Sequence, residues 1–101
     1  MELRYKQRWE PEVRKFFRDI VSVFQIDEVH YATFYGTCEN LNTFHIANNA
    51  LTNEGLTFKS TTGQIRKHPA FQIKKDSWGS FLMGLKALGL HETKKIGRPG
   101  G

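Results

Sequence analysis

The chain has 101 residues, 15 Lys or Arg against 10 Asp or Glu, and a formal charge of +5. That length suits one modest core, and thirteen aromatic residues, eight of them Phe, exclude a disordered polymer. No apolar run approaches the roughly 20 residues that cross a bilayer, and the single cysteine, Cys38, excludes an internal disulfide and points to a reducing compartment.

Charge is segregated along the chain. Residues 1–18 carry six bases and three acids, residues 27–54 four acids and no Lys or Arg, and residues 55–75 five bases and no acid. The start, MELRYKQRWE, lacks the apolar stretch of a secretory signal.

The first helix is expected after Pro11, where Val13, Phe16, Phe17, Ile20, Val21 and Phe24 recur at helical spacing. Asp27 is placed to cap the next helix, and Glu28 suits its positive end. From Glu28 to Asn53 there is no proline, and Tyr31, Phe34, Cys38, Leu41, Phe44, Ala47 and Leu51 form one stripe that predicts a long helix stopped by Gly55. About 26 residues give a rod of roughly 40 Å. A compact chain of this size has a radius of gyration of about 13 Å, so a neighbouring chain is expected to share the rod's burial.

Residues 56–68 read as a basic connector with a short extended turn near Thr61 to Gly63. Pro69 opens a last helix whose expected buried stripe is Phe71, Trp78, Phe81, Leu82, Leu85 and Leu88, ending near Gly89. Gly79 and Gly84 inside it each cost about 1 kcal/mol relative to alanine, so it is expected to lean on a neighbour. The fold class is all-α: a short N-terminal helix, a long central helix and a C-terminal helix forming a helical hairpin that oligomerises. Residues 1–90 are expected to form a single helical domain and residues 91–101 a flexible basic, Gly-rich tail.

No catalytic constellation stands out. The stretch GSFLMGLK, Gly79 to Lys86, resembles a Walker loop only loosely and lies within a helix. His30, His45, His68 and His91 match no metal spacing, and Cys38 with His45 is more simply a core thiol. Neither an enzyme nor a cofactor is indicated. The basic residues Arg66, Lys67, Lys74 and Lys75 surround a helix start without a competing acid, and free amides there favour phosphate oxygens. Arg14, Lys15 and Arg18 form a second basic group. A solvated face is the plainer reading of both. A helix-turn-helix is disfavoured, because its recognition helix would be the acidic segment from Glu28.

The order of features resembles the small subunits of tailed-phage terminases. The resemblance is carried by Trp9 and the helix after it, Asp27 with YATFYGTCENLNTF, NEGLTF at Asn53 to Phe58, GQIRKHPAFQIKKD at Gly63 to Asp76, and LKALGL at Leu85 to Leu90. The chain departs from the family pattern where HETKK follows that last motif. The resemblance implies a non-catalytic DNA-packaging protein in the cytoplasm of an infected bacterial host. It would form a homo-oligomer, typically a ring, bind double-stranded viral DNA, and regulate the ATPase and nuclease of the terminase large subunit. Arg66, Lys67, Lys74 and Lys75, with Arg14, Lys15 and Arg18, are the expected DNA contacts. The alternative is a helical structural or adaptor protein whose basic segments are solvent faces.

Overall fold

Among the described residues, three α-helices and one β-ribbon follow in chain order. A computed structural model describes residues 3–55, 57–59 and 61–90. Helix α1 (Pro11–Val23) starts at Pro11, whose missing N–H is not needed in a first turn. It ends at Phe24, which turns extended. A single 3₁₀ turn, Glu28–His30, leads into α2 (Tyr31–Glu54). The expected side-chain cap at Asp27 is absent: the turn is closed instead by the backbone, with the His30 amide donating to the Asp27 carbonyl at 2.8 Å. Gly55 ends α2 at φ 85°, a conformation that side chains disfavour.

The connector after α2 is more ordered than its composition suggests. Strands β1 (Thr57–Lys59) and β2 (Ile65–Lys67) pair antiparallel, with Phe58 opposite Arg66. Helix α3 (Pro69–Ala87) then runs back along α2 to complete the hairpin. The fold is all-α, with the ribbon as a small appendage at the hairpin's turn.

Phe17 is the hub of the main core. Its ring stacks on Phe34 at 5.1 Å and meets Trp9 at 5.8 Å and Tyr35 at 5.6 Å. Val13, Cys38, Leu41 and Phe81 complete the cluster, and Phe16 reaches α3 through an edge contact with Phe81 at 5.4 Å. A second cluster, Ala47, Leu51 and Ala70, closes the end of the hairpin nearer the ribbon. The stripes expected on the first two helices therefore face inward.

Most of the stripe expected on the last helix also faces inward, since Phe81 is buried and Phe71, Leu85 and Leu88 pack against the two clusters, but small residues share that face. Ala70, Ser77 and Phe81 are the helix's buried residues, whereas Trp78 and Leu82 are 40% and 46% exposed. The reason is close approach. A Cβ on Gly84 would lie 2.1 Å from Thr37 Oγ1, so small residues on α3 let the helix backbones pack more tightly than large ones allow. The Thr37 and Ser77 hydroxyls donate to carbonyls one turn back, Thr33 at 2.7 Å and Ile73 at 2.7 Å, so neither is left unsatisfied.

Residues 3–10 form a strap across α1 and α2. Trp9 is buried, the Tyr35 hydroxyl donates to the Arg4 carbonyl at 2.6 Å, and the Glu10 amide donates to the buried Asn42 Oδ1 at 2.8 Å. Arg8 pairs with Glu39. The radius of gyration is 16.8 Å, above that of a compact chain, with extents of 55 × 35 × 21 Å. The tail expected at residues 91–101 lies outside the described residues.

Candidate nucleic-acid interface

The four basic residues singled out between Gly63 and Lys75 lie on β2 and the first two turns of α3, joined by His68. His68 precedes a proline and is extended, which leaves its ring free to cap the helix. The Ala70 amide donates to His68 Nδ1 at 3.0 Å. The proton therefore sits on Nε2, which donates to Glu54 Oε1 at 2.9 Å and ties the end of α2 to the start of α3.

That arrangement corrects one expectation. The first-turn amides are not free to hold a phosphate, because Pro69 has none, Ala70 donates to the His68 ring, and Phe71 donates to the His68 carbonyl at 3.0 Å. Any anion attracted here meets side chains.

Three of those side chains are open, and Lys74 is half-buried. Every residue of β2 is exposed, and the Arg66 guanidinium donates to Gln64 Oε1 at 3.0 Å. The Lys67 ammonium sits 4.7 Å above the Phe71 ring and the Lys74 ammonium 5.8 Å from that of Phe44. Lys75 is exposed one residue on. No carboxylate pairs with any of the four among the described residues. The acids of α2 are engaged elsewhere, Glu39 with Arg8 and Glu54 with His68.

The second basic group divides. Arg14 and Arg18 share one face of α1 and flank the Tyr5 ring at 6.0 Å and 5.6 Å, whereas Lys15 turns to Asp19, 2.7 Å away. Arg14 Nε is buried without a protein partner. Arg18 and Tyr5 line a cleft of about 320 Å³ with Arg4 and Gln7. Arg4 and Tyr5 went unnoticed in the sequence, because the strap that brings them there has no periodicity.

The remaining reactive groups are structural. Burial pushes the Cys38 thiol up to about 12, with the Glu39 carboxylate adding to the effect, so it stays protonated. His45 packs edge-on against Phe44 at 5.3 Å. Among the described residues no group of three or more His, Cys, Asp or Glu is arranged to hold a metal ion, and no helix is long and apolar enough to cross a membrane.

The chain is thus a small all-α hairpin whose ribbon and helix start carry four basic residues without carboxylate partners among the described residues. The family described as phage terminase, small subunit, matches residues 14–95, which include all seven basic residues considered above. The chain belongs to that family, and its role lies in phage DNA packaging. Members of the family are generally non-catalytic. No curated protein and no solved structure matches.

Proposed function

We propose that this protein is the DNA-binding, self-assembling subunit of a phage packaging machine. It acts in the cytoplasm of the infected bacterial host, passing double-stranded viral DNA to the large subunit and modulating that subunit's ATPase and nuclease without catalysis of its own. The observation that carries the DNA contact is the set of four cations, Arg66, Lys67, Lys74 and Lys75, that lack carboxylate partners among the described residues. A major groove admits a two-stranded ribbon, and a ribbon whose second strand is wholly exposed has the shape for it. Arg14 and Arg18 add a second contact, with Lys15 a weaker member because Asp19 already answers its charge. Residues 1–90 act as one helical unit in this reading, with residues 91–101 as a basic tail.

The test is DNA affinity as a function of salt. Wild type is expected to weaken steeply as salt rises, and R66A/K67A and K74A/K75A each to bind less tightly, with the log–log salt slope reduced by about 0.9 per lost phosphate contact. Equal, weak binding of wild type and both variants at low salt overturns the reading. It would instead favour a helical adaptor whose lysines serve the protein, as Lys67 over Phe71 and Lys74 over Phe44 already do in part.

A further inference from the structure

Between the second half of α2 and the first half of α3 lies a groove of about 240 Å³. Phe44, Leu51, Phe71 and Trp78 line it, and Lys74 and Lys75 bring two ammonium groups to it. Leu82, one turn beyond Trp78 and 46% exposed, extends the apolar stripe. An open apolar surface beside two cations without carboxylate partners among the described residues matches an occupant that is both apolar and acidic.

The same chain displays such a feature. In the turn before α2, Val29 is 83% exposed, the highest value among the exposed large apolar residues, and it directly follows Asp27 and Glu28. Both carboxylates are exposed and pair with no cation among the described residues. The turn is pinned by its own backbone bond and continues into α2, so it is presented rigidly. Phe44 and Leu51 lie on the helix that follows this turn, 15 and 22 residues beyond Val29, roughly 22–33 Å along its axis. No chain can place this turn in its own groove.

We propose that the groove receives the Asp27–Val29 turn of a second copy of this protein. Val29 of one copy enters beside Phe44 and Trp78 of the next, while Asp27 and Glu28 face Lys74 and Lys75. The two surfaces differ and sit at opposite ends of α2, so the contact is head-to-tail and repeats from copy to copy, making a ring where the rotation between copies closes and a filament where it does not. This deepens the self-assembly part of the function proposed above by naming the partner of the groove. Lys74 and Lys75 then serve the protein contact as well as DNA, and the ribbon residues Arg66 and Lys67 are the cleaner reporters of DNA binding.

Sedimentation velocity of the full chain at micromolar concentration, without DNA, tests it. Wild type is expected to sediment as a multi-protomer species. V29R and K74E/K75E are each expected to raise the apparent dissociation constant of assembly by about tenfold or more, with the helical content of the isolated protomer retained, because Val29 and Lys75 are exposed and Lys74 is only half-buried. Mixing K74E/K75E with D27K/E28K, or joining all four changes in one chain, is expected to restore assembly, which a merely misfolded variant cannot do. A monomeric wild type, assembly indifferent to V29R and K74E/K75E, or a mixture that fails to assemble overturns the proposal; indifference would assign the groove to a different partner. R66A/K67A separates the two readings. If it loses DNA while wild type is monomeric, only the interface falls; if wild type assembles through this contact yet binds no DNA, only the DNA reading falls.

Discussion

Single residues show why two glycines of one helix have different roles. Gly84 faces Thr37, whose hydroxyl is held by the Thr33 carbonyl, so an added methyl cannot be accommodated by a simple rotation. G84A is expected to lower stability by about 1–3 kcal/mol. Gly79 meets nothing within 4 Å, and G79A is expected to raise stability by about 1 kcal/mol. Chemical denaturation of the pair checks both, and a like-signed result would refute the close approach. Cys38 makes a pH prediction. Its folded pKa is raised above the ordinary value of 9.0 to about 12, so the unfolded chain ionises first. The stabilisation is fully present below about pH 9 and declines as pH rises toward 12. Thermal melts of wild type should therefore fall more steeply above pH 9 than those of C38A, although C38A starts lower because it leaves a cavity. Both glycines were legible as costs in the sequence, but only the position of Thr37 assigns one of them a purpose.

Among the elements, the strap and the ribbon differ most from what the sequence suggested. Residues 3–10 hold Trp9 against Phe17 and Tyr35, and W9A is expected to cost about 3–5 kcal/mol, which a denaturant midpoint would report. H68A removes the cap of α3 and the link to Glu54, with an expected loss of about 1 kcal/mol. An H68N variant, able to cap but too short to reach Glu54 in the same way, should recover part of that loss. Helices α1 and α2 could be read from the chain because their large apolar residues recur every three or four positions and do face inward. On α3 that rule held for Phe71, Phe81, Leu85 and Leu88, but the small Ala70, Ser77 and Gly84 share the packed face and the large Trp78 and Leu82 are left partly open. Apolar periodicity marks which side is apolar; it does not distinguish a side that packs within the chain from one that packs against another.

At the scale of the whole molecule, charge and shape act together. The acids of α2 are paired with Arg8 and His68, so the basic flank from Arg66 to Lys75 is not cancelled by the helix beside it. The carboxylates of the turn before α2 are left open at the other end. On this reading, raising salt should weaken DNA binding far more than self-assembly, because the groove adds an apolar contact that salt does not screen. Titrating both properties of wild type over the same salt range checks it; parallel losses would mean that assembly is held by charge alone.

The sequence by itself determined the helices, the place where each stops, the segregation of charge and the family, since these rest on local spacing and on residue order. The close approach of α3 to α2 at Gly84, the burial of Trp9 and the link from His68 to Glu54 were decided only by tertiary structure. Each depends on which surfaces meet across the hairpin. Such contacts join residues far apart in the chain, and no local pattern encodes them.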